Sequence, residues 1–276
     1  MGSGGHPEDR KPKHRAVPHR SALAGVEALS LVSGRGFPRH AHDQFGMGVL
    51  LHGAQRSWSG IGAVESAAGD TIMVNPGEMH DGLPVRGAER RWHMLYLDPD
   101  LVARELGDGT LRGAEIARPS VRDPALARAF LGLFARVTAT APDPLALDEA
   151  LLVCLARVRR RHWSEPAGAL GLSPTIRIAK ERLDDRPAAA TSLSDLAVLA
   201  GTSRFQLLRG FVRELGATPH AYLVQQRVRL ARRLLAGGLS PVATALECGF
   251  ADQSHMTRAF ARQLGVTPGR YRAALA

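Results

Sequence analysis

The spacing of apolar positions changes character along the chain. Through residues 20–100 it runs in short, turn-punctuated, partly alternating stretches such as FGMGVLLHGAQRSWSG and GDTIMVNPGEMH, which predicts β-strands. In RRWHMLYLD, residues 90–98, Trp92, Met94 and Tyr96 alternate with His93, Leu95 and Leu97, so the two sets belong to opposite faces of one strand. From residue 124 the period becomes helical. Residues 124–139 and 144–162 predict two helices, each opening on Pro (Pro124, Pro144) after an Asp (Asp123, Asp143) suited to cap it. The second gathers Leu147, Leu151, Cys154, Leu155 and Val158 on one face. The stretch SEPAGALGLS, residues 164–173, reads as a linker.

Beyond the linker the pattern is helical and occurs twice. Residues 192–222 (SLSDLAVLAGTSRFQLLRGFVRELGATPHAY) and 240–271 (SPVATALECGFADQSHMTRAFARQLGVTPGRY) align with one inserted residue in the turn. Gly201 matches Gly249, Phe211 matches Phe260, and Thr218–Pro219 match Thr267–Pro268. Each copy predicts a short helix (193–200, 241–248) capped by Ser192 or Ser194 and by Ser240, with Pro241 at the first helical position. A turn follows at a Gly suited to left-handed backbone, then a longer helix (204–215, 253–264). The longer helices bury Leu207, Phe211 and Leu215, or Met256, Phe260 and Leu264, as one stripe. That is the helix-turn-helix pattern. A helix over 219–236, about 27 Å long, separates the copies. Its Arg227, Arg229, Arg232 and Arg233 are expected to face solvent or phosphate.

Charge strengthens this reading. The chain carries 36 Lys/Arg against 26 Asp/Glu, a net +10. Residues 170–276 hold 15 of the cations and 7 of the anions, so most of the excess lies in the helical third, which fits a polyanionic partner. The longer helices present Arg204, Phe205, Gln206, Arg209 and Arg213, and Gln253, Ser254, His255, Arg258 and Arg262. Positions near the helix start (Phe205, Gln206, Arg209, Ser254, His255, Arg258) suit base edges in the major groove of double-stranded DNA; Arg213 and Arg262 suit phosphates. The two cysteines, Cys154 and Cys248, sit far apart in apolar contexts and read as core residues. No stretch approaches the ~18 apolar residues of a membrane span. The polar, basic start of the chain has no apolar signal-peptide core, so a cytoplasmic protein is expected.

Residues 172–276 resemble the DNA-binding domain of the AraC family of bacterial transcription regulators. Ala245, Gly249–Phe250, Ser254, Met256, Phe260, Gly265, Thr267–Pro268 and Tyr271–Arg272 carry the resemblance; the family more often has Phe or Leu where Met256 stands. Earlier, Gly34, His40, His42, Gly46 and Gly53 resemble the first motif of the cupin barrel, and Gly69, Asn75, Gly77 and His80 the second. His40, His42 and His80 stand where metal-binding cupins place their histidines. Gly46 stands at the position of their Glu, and Asn75 and Pro84 replace the usual Pro and Asn. Three readings stay open for these histidines: contacts to an organic effector, structural residues satisfied by hydrogen bonds, or a metal site. Trp58, Trp92, Met94 and Tyr96 are candidates for a pocket lining or for barrel core.

The expected architecture is α+β and multidomain: a cupin-like β-barrel with two following helices, then an all-α domain with two helix-turn-helix motifs. The boundaries are a flexible tail over 1–20, an effector-binding domain over 21–163, a linker over 164–173 and the DNA-binding domain over 174–276. The resemblance implies a non-enzymatic, nucleoid-associated regulator that needs no cofactor or metal. Its partners are then DNA, a small-molecule effector contacted by His40, His42 and His80, and RNA polymerase. The helix pair serves either as a homodimer contact or as packing on its own barrel. The rival is a metal-dependent cupin enzyme with an accessory DNA-binding domain.

Overall fold

The computed structural model describes residues 14–60, 62–106, 115–164 and 172–275. Two antiparallel sheets face each other in its N-terminal part. One is built from β1 (His14–His19), β2 (Val26–Ser33), β9 (Arg90–Leu97), β4 (Phe45–His52), β7 (Thr71–Val74) and β11 (Ser120–Val121), in that order across the sheet. The other runs β3 (Phe37–His40), β8 (His80–Pro84), β5 (Ala54–Ser59), β6 (Gly62–Ala67). A 2.8 Å hydrogen bond from Ser66 Oγ to Ser120 Oγ ties their edges, giving a cupin-like roll. A small third sheet pairs β10 (Glu115–Ile116) with β12 (Trp163–Ser164).

Alternation along β9 sorts the side chains. Leu95 and Leu97 join Met47 and Val49 beneath α2 (Pro124–Val137) and α3 (Pro144–His162), behind α1 (Pro99–Leu106). Trp92 and Met94 face the other way, with Leu29, Leu31, Phe37 and Leu50. Leu147, Leu151, Cys154, Leu155 and Val158 of α3 are buried in the first of these cores, so the helix pair packs on its own sheet. Asp123 and Asp143 cap α2 and α3 with Pro at the first turn, as their spacing predicts.

The flexible tail expected over 1–20 needs correction. Residues 14–19 form β1, paired with β2 along its whole length, and buried Ala16 lies opposite Leu31. The edge of β2 offers backbone donors and acceptors, and pairing satisfies them. Residues 1–13 and most of the expected linker, 165–171, lie outside the described residues.

The C-terminal part is all helical: α4 (Pro174–Asp185), α5 (Leu193–Leu199), α6 (Arg204–Leu215), α7 (Pro219–Ala236), α8 (Pro241–Glu247), α9 (Gln253–Leu264) and α10 (Pro268–Leu275). Ser192, Ser203, Ser240 and Asp252 cap α5, α6, α8 and α9 through their side chains. Left-handed Gly216 and Gly265 close α6 and α9 at equivalent positions. The first unit has a core of its own, with Phe211 fully buried among Leu207, Ile176, Leu196 and Tyr222. The second does not: Phe260, Met256, Phe250 and Tyr271 belong to one continuous cluster with Leu31, Leu50 and Trp92 of the roll. Cys154 and Cys248 are both fully buried and unpaired, as core residues.

The two turn glycines face different surroundings. Both have positive φ, 62° at Gly201 and 73° at Gly249. A Cβ on Gly201 would meet nothing within 4 Å, whereas one on Gly249 would stand 2.3 Å from the Ala188 carbonyl oxygen. Gly201→Ala should therefore cost only the backbone strain of about 1–2 kcal/mol, and Gly249→Ala clearly more. Denaturant unfolding of the two variants checks the order; equal losses would contradict it.

Candidate functional site

Two surfaces stand out, the outer faces of α6 and α9 and a cavity in the roll. On α6, Arg204, Phe205, Gln206, Arg209 and Arg213 are all exposed. Phe205 is 66% exposed, with the Arg209 guanidinium 5.4 Å from its ring centre, an apolar patch flanked by charge. Gln206 is already employed: its Oε1 accepts from the Ser203 backbone N–H at 3.3 Å and closes the helix cap. Arg213 pairs with Glu214 at 2.5 Å, and Glu214 in turn accepts from Ser173 at the start of α4. On α9, Gln253, Ser254, Arg258 and Arg262 are exposed. His255 is half-buried, edge-on to Phe250 with ring centres 5.3 Å apart.

The cavity lies between the two sheets and offers about 90 Å3 of room, with an opening to solvent. Trp58, Trp92, Met94 and Tyr96 all line it, so the sequence candidates converge. His40 and His80 line it too, brought opposite each other by the β3–β8 register. His42 sits behind them in the link between β3 and β4, its ring centre 4.7 Å from that of Tyr96. The His42 carbonyl accepts from Gly77 N–H at 2.7 Å, which pins the turn before β8 to the β3–β4 link. The three imidazole centres are 4.4–5.1 Å apart. One ring nitrogen from each lies within 4.8 Å of the others, the kind of donor set that can hold a metal ion. Burial above all holds the His40 pKa down to about 3 and that of His80 to about 4, and carries His42 well below its ordinary value. All three are therefore neutral near pH 7. The place of the cupin Glu carries no carboxylate: it is Gly46, where a Cβ would lie in ordinary contact, 3.4 Å from both Met94 Cε and Tyr96 Cε1.

The cavity wall also includes Gln263 and Leu264, from the last turn of α9. No sequence signal joined these residues to the roll. Nor did any mark the contacts that the roll makes with the C-terminal ends of α6 and α9. Arg35 donates to Ala261 O at 2.8 Å and His14 Nε2–H to Gly265 O at 2.8 Å, on α9. Arg39 donates to Gly216 O at 3.3 Å, on α6. Arg35 and Arg39 bring positive charge to the helix C-termini, where it suits the dipole, and His14 adds a neutral donor, since burial lowers its pKa.

A correction concerns α7. Its arginines were expected to face solvent or phosphate, but Arg232 is only 7% exposed and faces the roll. It donates to Glu27 Oε1 at 2.7 Å and to Gln44 Oε1, and Tyr271 O–H donates to the same Glu27 oxygen at 2.8 Å. Burial disfavours the guanidinium charge, but Glu27 and Tyr271 together more than offset this and its pKa is raised. Arg229 and Arg233 pair with Asp43, and Arg227 donates to Pro187 O at 2.9 Å. For Arg229 and Arg232 the physical reason is docking: the roll covers this face of α7, and Asp43 and Glu27 replace water and phosphate as partners. Arg233 keeps a 63% exposed side chain, as expected, and Arg227 stays within the helical part.

A two-sheet ligand-binding domain seated on tandem helix-turn-helix units defines a ligand-responsive DNA-binding regulator. The comparisons agree. A model described as an AraC-like ligand binding domain matches residues 27–155, and one described as a helix-turn-helix domain matches 196–274. The HTH-type transcriptional regulator YbfI of Bacillus subtilis (strain 168) is 28% identical over 226 residues, covering 80% of this chain and 81% of that protein. The transcriptional activator NphR of Rhodococcus is 40% identical over 102 residues, 37% of this chain and 29% of that protein. The structure of ToxT from Vibrio cholerae shares the fold, with a TM-score of 0.53 at 12% identity over 91% of this chain and 99% of that one. The chain belongs to the AraC family of transcriptional regulators.

Removing Glu27 leaves Arg232 buried without its carboxylate. Glu27→Ala should cost about 3–5 kcal/mol of the docking between the two parts, whereas Asp43→Ala, at a more exposed pair, should cost under about 1 kcal/mol. Protease cleavage between the domains reads this: Glu27→Ala should be cut faster than wild type, and an unchanged rate would remove the ion pair from the interface energetics.

Proposed function

We propose that an effector in the cavity of the roll sets how the two reading helices meet double-stranded DNA. The observation that carries this is the shared wall: Gln263 and Leu264 of α9 close the cavity that His40 and His80 line. A molecule seated there touches a reading helix directly. The same roll holds the C-terminal ends of α6 and α9 through Arg39, Arg35 and His14. An effector with different affinity for docked and released arrangements then shifts their balance.

In this reading residues 21–163 are the effector-binding domain, 164–173 the linker and 174–276 the DNA-binding domain. Arg204, Phe205, Arg209, Ser254, His255 and Arg258 meet bases or the adjoining backbone; Gln253, Arg213 and Arg262 serve phosphates. Gln206 and Arg213 must exchange their present partners for DNA. His40 and His80 contact the effector, with His42 supporting them from behind. Leu145, Leu152 and Val153 leave α3 an exposed apolar strip, which suits the helix pair to a homodimer contact. The protein works on the nucleoid in the cytoplasm, beside RNA polymerase, as a regulator and not as an enzyme. No described helix is long and apolar enough to cross a membrane.

Arg209→Ala and Arg258→Ala should each weaken binding to a specific site by about 1–3 kcal/mol and relax base preference at one position. Selection of bound sequences from a random duplex pool, followed by titration at fixed salt, measures both. Unchanged affinity and preference in both variants would remove these arginines from base reading.

A further inference from the structure

The histidine cluster has a property that effector contact alone does not explain. His40 Nδ1–H donates to Pro38 O at 2.7 Å, and His80 Nδ1–H donates to Glu78 O at 3.0 Å. A neutral imidazole that donates from Nδ1 carries its lone pair on Nε2. The backbone thus fixes the same tautomer in both rings and leaves two lone pairs free. His42 Nε2 is buried with no hydrogen-bond partner. Buried polar nitrogens are rarely left so, because their lost hydration has to be replaced. The nearby carboxylates are engaged elsewhere: Asp81 accepts from Trp58 N–H at 2.7 Å, and Glu78 from Asn75 at 3.0 Å. No acidic side chain belongs to the cluster among the described residues.

We propose that His40, His42 and His80 form a binding site for a divalent transition metal ion on the wall of the effector cavity. This rests on the reading of that cavity as the effector site, and it names one component of what the site takes. A ring Nδ1–H held by a carbonyl is how metal-binding histidines are commonly oriented from behind. Three neutral nitrogens suit zinc, cobalt, nickel, iron or copper and suit magnesium or calcium poorly. The ring nitrogens lie within 4.8 Å of one another, so short ring movements bring all three to one ion. The ion would satisfy His42 Nε2. Because His40 and His80 also line the cavity, it would border the space an effector fills. The catalytic cupin set is incomplete here, since Gly46 supplies no carboxylate. The site therefore reads as one for binding and sensing.

The test uses the full chain after chelator treatment and dialysis. Calorimetric titration with ZnCl2 and with CoCl2 should show one tight equivalent, and MgCl2 none. The cobalt form should develop visible absorption bands from nitrogen coordination, a readout that needs no variant. His40→Gln, His42→Gln and His80→Gln should each lower affinity at least about 10–100-fold while far-UV circular dichroism stays unchanged. Absence of a stoichiometric cobalt spectrum, equal uptake of magnesium, or undiminished binding by folded His42→Gln would each overturn the proposal. Duplex-DNA binding at low salt is measured on the same samples. Retained DNA binding without metal uptake would sink the metal site alone, and loss of DNA binding by the wild type would strike the regulator reading instead.

Discussion

One buried arginine holds the two halves of this chain in register. Arg232 lies near the C-terminal end of α7 and reaches to the roll, where its guanidinium, the Gln44 amide and the Tyr271 hydroxyl of α10 gather around the Glu27 carboxylate. Taking such charges out of water costs several kcal/mol per ion, and only good geometry recovers it. The net gain over an apolar contact is then small, but the interaction is directional and tolerates little displacement. That combination suits a joint that must be definite when closed without being permanent. The apolar contact of α9 and α10 with the roll supplies non-directional attraction around it.

The duplication makes the asymmetry of the joint visible. Both units descend from one sequence pattern, with caps, left-handed glycines and buried aromatics at matched positions. Yet the first keeps a closed core and touches the roll mainly through Gly216, Gln225 and their neighbours. The second shares its core with the sheet and borders the cavity. On the proposed reading, a signal from the cavity meets the second unit by packing and the first by hydrogen bonds across the turn after α6. Coupling of this kind is typically worth 1–3 kcal/mol, on the scale of one or two of those contacts.

The sequence reading succeeded where the information is local. Helix bounds in the C-terminal part followed from Ser, Asp and Pro caps and from the Gly that ends each helix, and the alternation in β9 separated its faces correctly. It failed where the partner lies far along the chain. Arg232 looks like Arg227 or Arg233 in sequence; only the presence of Glu27, 205 residues away, sorts it to the inside. Residues 14–19 read as tail because a polar edge strand with a Pro next to its end has weak alternation, and its pairing with β2 is a tertiary fact. The cavity was half legible. Aromatics and histidines at strand spacing pointed into the roll, whereas Gln263 and Leu264 gave no sign that a reading helix forms part of the wall.

The histidines and the arginine joint are physically connected. Arg232 lies 5.9 Å from the Tyr96 ring centre, and Tyr96 packs against His42. The positive charge of Arg232 also contributes to lowering the pKa of His40 and His42, after burial and the neighbouring histidines. Any change of charge among the imidazoles is therefore felt at the guanidinium through a low-dielectric interior that screens little. The cavity and the arginine joint thus meet in one buried patch, through which the proposed effector would act on α6 and α9.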